Sequence, residues 1–114
     1  MSQTQIETQT QITNQKRKIY RQGDVILEQV DITQHDLELY ANLETNKLEI
    51  RSENGHSHIM NNIKLYRYRG RQIVVVEKPT PLIHEEHPVL TIEPGVYQIR
   101  FVRDWLLRES RPVD

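Results

Sequence analysis

From residue 19 onward the chain alternates short apolar runs with turn residues, and this spacing restricts its fold more than any other feature. Runs of about four to eight residues rich in Val, Ile, Tyr and Thr, bounded by Gly, Pro or Asn, are typical of β-strands. Such runs occupy residues 25–30, 47–51, 56–60, 63–69, 72–77, 89–92 and 96–105. Five to seven short, mainly antiparallel strands predict an all-β domain, either a small barrel or a sandwich.

Turn residues define the expected hairpins. Gly23-Asp24 precedes the first of these runs, and Asn54-Gly55 is a strong turn because this pair tolerates positive φ. We expect the clearest hairpin to turn at Gly70-Arg71 and a final hairpin to turn at Pro94-Gly95, before the strand at 96–105. Within that last strand, Tyr97, Ile99 and Phe101 share one face.

Two segments fit the strand pattern less well. Pro79 and Pro81 are expected to interrupt any strand between residues 78 and 88. Thr33 followed by Asp36 fits the start of a helical turn in residues 31–46, but the leucines there also fit extended structure. We interpret residues 31–46 as a loop with a short helix or an edge strand.

Length and charge exclude several classes. A chain of 114 residues has room for one domain, and its net charge of −1 gives no overall attraction to nucleic acid or anionic membrane. The absence of cysteine excludes disulfides and thiolate ligands. No apolar run approaches a membrane span and the N-terminus lacks a signal-peptide core, so a cytoplasmic location is the default expectation.

The N-terminal residues 1–18 are rich in Gln and Thr and carry little apolar surface. Such a segment cannot offset the entropy of ordering, so we predict a disordered polar tail before a single β domain at 19–114. The alternative is a docking arm that orders on a protein partner.

Four of the five histidines fall into two tight clusters, and they are the strongest functional signal. His56 and His58 stand at i and i+2, which share a face on a strand. His84 and His87 stand at i and i+3, which converge only if residues 81–88 bend into a helical turn or a tight loop. Two such pairs meeting in space predict a site for a transition metal such as zinc, iron, manganese or nickel.

Glu85 and Glu86 lie between the second pair and are candidates for an oxygen ligand or an acid–base group. Four histidines closed around the ion would make a structural site, whereas three and an open position would make a catalytic one that acts on a small-molecule substrate. In the opposing interpretation, the histidines are solvated or merely bridge Glu85 and Glu86.

The motif order is similar to that of a group of short, uncharacterised bacterial proteins over most of residues 19–114. The shared motifs are Gly23-Asp24-Val25, Gly55-His56-Ser57-His58, His84-Glu85-Glu86-His87 and Pro94-Gly95-Val96-Tyr97. This resemblance implies no particular activity. The His-x-His pair on a strand also resembles the first motif of cupins, which implies a cupin-like barrel and ligand roles for His56 and His58 alone.

A non-catalytic adaptor or accessory module is the alternative function. Residues 64–71 interleave tyrosines with basic residues, a pattern found where single-stranded nucleic acid binds. The near-zero net charge disfavours that reading, and a hairpin with packed tyrosines and solvated arginines is the simpler interpretation.

Overall fold

The β-rich runs form one strongly curled antiparallel sheet in the computed structural model, which describes residues 17–52 and 54–104. The elements are β1 (Ile19–Gln22), β2 (Val25–Gln29), α1 (Gln34–Tyr40), β3 (Asn42–Arg51), β4 (Ser57–Tyr68), β5 (Arg71–Val76), β6 (Thr80–His84), β7 (His87–Ile92) and β8 (Gly95–Phe101). The strand order is β1-β2-β8-β5-β4-β6-β7, and β3 pairs with β4. The predicted all-β class with a barrel-like sheet is confirmed, with eight strands among the described residues rather than five to seven.

The two ends of this strand order are joined by one buried side chain. The Gln22 amide nitrogen donates to the carbonyl of Leu82 at 2.8 Å and to that of Pro88 at 3.0 Å. These bonds tie the end of β1 to β6 and β7, so the sheet is a nearly closed barrel.

Strand β6 lies in a segment where the prolines were expected to interrupt any strand. Pro81 lies inside β6, opposite Thr91 of β7. Because β4 pairs with β6 only at Ile83, the missing N–H of Pro81 interrupts no hydrogen-bond ladder on that side. The expectation that Pro81 would interrupt a strand was therefore wrong.

Two turns also differ from the predictions. The β4–β5 turn is Arg69-Gly70 rather than Gly70-Arg71, because Tyr68 pairs with Arg71 and both central residues have positive φ. The prediction of a final hairpin at Pro94-Gly95 was wrong, because β7 pairs with β6 whereas β8 pairs with β2 and β5. The last strand ends at Phe101, and residues 102–104 are helical.

The ambiguous segment at 31–46 contains both alternatives in succession. The Thr33 hydroxyl accepts the backbone N–H of Asp36 at 3.0 Å and caps α1, after which β3 begins at Asn42. Leu37 is fully buried and holds the helix against the outside of the barrel. Tyr66 is buried in the same outer cluster, so its ring is packed rather than presented for base stacking.

The main core lies inside the barrel. Tyr97 and Ile99 point inward with Phe101 packed beside them, which confirms the predicted face of the last strand. The buried members are Leu27, Leu48, Met60, Ile63, Leu65, Val74, Val76, Leu82, Ile92, Tyr97 and Ile99. A smaller core of Leu37, Tyr66, Ile73 and Val75 lies beneath α1.

The chain ends fall partly outside the described residues. Residues 1–16 of the predicted disordered tail and residues 105–114 are not described. Lys18 accepts the Gln29 N–H through its backbone carbonyl at 2.9 Å, and Arg17 pairs with Asp31 at 2.9 Å. No helix within 17–52 and 54–104 has the length and apolar character needed to cross a bilayer.

Candidate metal centre

A cavity of about 430 Å³ opens at one end of the barrel, where the two histidine segments meet. His58 comes from the start of β4, while His84 and His87 flank the β6–β7 turn. All three line the cavity; His58 and His84 are buried and His87 is half-buried. The remaining lining residues are Asp24, Val25, Ile50, Arg51, Ser52, Asn54, Phe101 and Arg103.

The β6–β7 hairpin explains how the second pair converges. Glu85 and Glu86 form its tight turn, so His84 and His87 stand directly opposite each other across the two strands. Their ring centroids lie 4.6 Å apart. Of the two alternatives predicted for residues 81–88, the tight loop is correct and the helical turn is not.

The three imidazole rings lie close to one another at the cavity. The His58 centroid lies 4.3 Å from that of His84 and 6.1 Å from that of His87. With metal–nitrogen bonds of about 2.0–2.1 Å and tetrahedral angles, the centroids of two coordinating imidazoles lie about 5 Å apart. The three observed separations bracket this value.

Gln22 determines the tautomer of His58. The Gln22 amide nitrogen faces two carbonyls, so its oxygen must accept the bond from the His58 Nδ1 atom 2.8 Å away. His58 therefore carries its proton on Nδ1 and has a lone pair on Nε2. Burial, and next the neighbouring His84 and His87, lower the pKa of His58 from 6.5 to about 4, against a smaller opposing effect of Asp24.

His84 adopts the opposite tautomer. Its Nδ1 accepts the backbone N–H of Glu86 at 3.0 Å, so the proton resides on Nε2 and is donated to the Ser52 hydroxyl at 3.1 Å. In this arrangement His84 turns no lone pair toward the cavity. Within the described residues, no group of three or more His, Cys, Asp or Glu side chains is arranged to hold a metal ion. A shared ion would require the His84 ring to turn, so that one of its nitrogens is released from Glu86 or Ser52.

A glycine makes room for His87. Gly23 in the β1–β2 turn has a φ of +59°, and a Cβ built there would lie 2.7 Å from the His87 Nε2 atom. A side chain at this position would displace the imidazole. Gly23, which was predicted only as a turn residue, therefore also leaves the space that the His87 ring occupies.

The other predicted site residues form a separate group outside the cavity lining. The His56 Nδ1 atom contacts the Glu85 carboxylate, and its Nε2 atom lies 3.5 Å from a Glu86 oxygen. Asn54 donates from its amide to Glu86, and the His56 ring centroid is 5.9 Å from that of His84. The six predicted residues thus divide into an inner trio of His58, His84 and His87 and an outer trio of His56, Glu85 and Glu86.

Sequence reasoning missed several residues of the site. Asp24 was assigned only to a turn, and Gln22, Arg51, Ser52 and Arg103 were not identified as site residues. The Gly-Asp pair carried a usable signal, because an acidic turn residue after a glycine sits at a strand end. A lone glutamine carries no motif, so the Gln22 contact with His58, 36 residues along the chain, is visible only after folding.

A protein-family profile described as "Domain of unknown function (DUF8820)" matches residues 21–101. The chain belongs to this family. The DUF8820 match includes all six predicted site residues, together with Gln22 and Gly23. No curated protein and no solved structure matches the chain. The family agrees with the predicted resemblance to an uncharacterised group.

Proposed function

We propose that this DUF8820 protein binds one divalent transition metal through His58, His84 and His87, with an open position that faces the cavity. The observation that carries the proposal is the support of His58 by Gln22. Metal-binding histidines typically donate their second ring N–H to a carbonyl or carboxylate, which fixes the tautomer and aims the other nitrogen. Here a buried glutamine oxygen has that role, and the His58 ring centroid lies 4.3 Å from that of His84 and 6.1 Å from that of His87.

The electrostatics of the trio support the same proposal. A metal ion competes with protons for a histidine nitrogen. An imidazole that is already neutral well below pH 7 can therefore bind an ion without first losing a proton. The pKa of His58, lowered to about 4, meets this condition. An all-nitrogen ligand set with a nearby carboxylate favours zinc, iron, manganese or nickel over calcium or magnesium.

A bound ion of this kind supplies Lewis-acid activation of water or, if redox-active, oxygen chemistry. The chain itself would supply proton transfer and positioning. Among the described residues that line the cavity, Asp24 is the one carboxylate, so we assign it the role of proton acceptor there. The acid–base or ligand roles of Glu85 and Glu86 stay predictions; both carboxylates contact His56 and neither is among the described residues that line the cavity.

Metal content of protein purified without a histidine tag tests the proposal. We expect about one ion per chain in the wild type, and its loss in both His58→Ala and His84→Ala. His35→Ala is the matched control, because His35 is exposed on α1. A wild type that takes up no zinc, iron, manganese or nickel would contradict the proposal and favour the adaptor alternative. Melting curves establish that each variant is folded.

His56→Ala distinguishes a catalytic from a structural site. If the ion is held by the inner trio, this variant keeps its metal with an affinity within about threefold of the wild type. If His56 completes a closed four-histidine site, affinity falls by tenfold or more, in the range of roughly 10–100-fold seen when the support of a site is lost. The cupin-like arrangement and the cytoplasmic location stay predictions alongside this proposal.

A further inference from the structure

The wall of the cavity has two chemically distinct parts. Val25, Ile50 and Phe101 are the apolar members of the lining, and the two arginines Arg51 and Arg103 line the same cavity. The cavity volume of about 430 Å³ falls within the range of about 300–1,000 Å³ that is typical of small-molecule sites.

The two arginines differ in how their charge is balanced. Arg103 lies beside Asp24: its Nη2 atom is 3.9 Å from one carboxylate oxygen, and its backbone N–H donates to the other at 3.3 Å. Arg51 ends β3 opposite Ser57, and within the described part of the chain its guanidinium has no carboxylate partner. Counted over the described lining residues alone, Arg51, Arg103 and Asp24 give one positive charge in excess, before any ion is counted.

We infer that the cavity binds a small organic carboxylate, with its anionic group paired to Arg51 and its apolar body against Ile50 and Phe101. The planar guanidinium matches a carboxylate through two parallel hydrogen bonds. The apolar surface beside it is suited to an aryl or alkyl body rather than to a fully hydrated anion. The inference rests on the proposed function only in one respect, namely that a bound divalent ion would add to the attraction for the anion.

Titration calorimetry with benzoate tests this inference, with neutral benzamide and inorganic phosphate as comparison probes. Arg51→Gln removes the cationic group, and Lys47→Gln is the matched control because it removes an equal charge from the same strand, outside the cavity lining. We expect saturable benzoate binding by zinc-loaded protein, at least about tenfold weaker in Arg51→Gln, and within twofold of the wild type in Lys47→Gln. Benzamide should bind at least tenfold more weakly than benzoate.

The same titrations on metal-free protein separate this inference from the proposed function. If protein with confirmed zinc binds no benzoate, or if both charge variants lose it equally, the carboxylate site is refuted while the metal site stands. Phosphate binding tighter than benzoate also overturns the assignment. If the protein takes up no zinc, the proposed function fails, and the metal-free titration decides alone. In that case, loss of benzoate binding in Arg51→Gln but not in Lys47→Gln supports the inference. Absence of benzoate binding by the metal-free wild type overturns it.

Discussion

Replacing Gly23 with alanine tests the role of His87 by adding a single methyl group. The new Cβ would lie 2.7 Å from the His87 Nε2 atom, whereas ordinary contact begins at 3.4 Å. The imidazole must therefore move by about 0.7 Å, the difference between these two distances. Metal–ligand distances tolerate only about 0.2 Å, so the displaced ring should no longer coordinate in its original place.

The same substitution also strains the backbone, and this cost needs its own control. Gly23 has a φ of +59°, and a left-handed conformation costs an L-residue roughly 1–2 kcal/mol. Gly70 has a φ of +76°, but a Cβ there would meet nothing within 4 Å. Gly70→Ala therefore reproduces the strain at the β4–β5 turn without touching the site.

Urea unfolding of metal-free protein and zinc competition against a chromophoric chelator measure the two effects separately. We expect both variants to lose roughly 1–2 kcal/mol of unfolding free energy. Only Gly23→Ala should bind zinc more weakly, by at least about tenfold. Equal zinc affinities for Gly23→Ala and Gly70→Ala would refute the placement of His87 as a ligand beside the β1–β2 turn.

Three further predictions concern the support of the site, its protonation and the outer core. Gln22→Leu removes the acceptor for the His58 Nδ1 proton and the donor to the Leu82 and Pro88 carbonyls, so zinc affinity should fall about 10–100-fold; an unchanged affinity in competition titrations contradicts this. In metal-free protein the pKa of His58, lowered from 6.5 to about 4, means that the unfolded chain binds more protons between these pH values. Urea unfolding should therefore show stability falling by roughly 3 kcal/mol as pH drops through that window, and a flat profile would count against a buried neutral His58. Leu37→Ala should cost about 2–5 kcal/mol of unfolding free energy by opening the core beneath α1, with zinc stoichiometry unchanged; coupled loss of zinc would contradict the separation of the two cores.

Local patterns were sufficient to predict much of the fold. The face shared by Tyr97 and Ile99 in β8 and the turn at Gly23-Asp24 are set by neighbouring residues, and these predictions are confirmed. Pairing between strands that are distant in sequence is not determined by neighbouring residues. Pro94-Gly95 has the composition of a hairpin turn, yet the strands that flank it pair with different neighbours because barrel closure determines their partners.

The candidate site was likewise predicted in part. The structure brings His58 close to His84 and His87, as the hypothesis that the two histidine pairs meet requires. The exclusion of His56 from the cavity lining was not predicted, because the i, i+2 rule holds inside a strand and His56 precedes the first residue of β4. Its contacts with Glu85 and Glu86 depend on where the β6–β7 turn lies, which only the folded chain determines.

Anomalous diffraction from crystals of zinc-loaded protein tests the central claim most directly, because it locates the ion without assuming any activity. We predict one strong peak inside the barrel-end cavity, about 2.0–2.1 Å from nitrogens of His58, His84 and His87, with the His84 ring turned away from Ser52. A peak bound only by His56 and Glu85, or no peak at full zinc loading, would contradict the account.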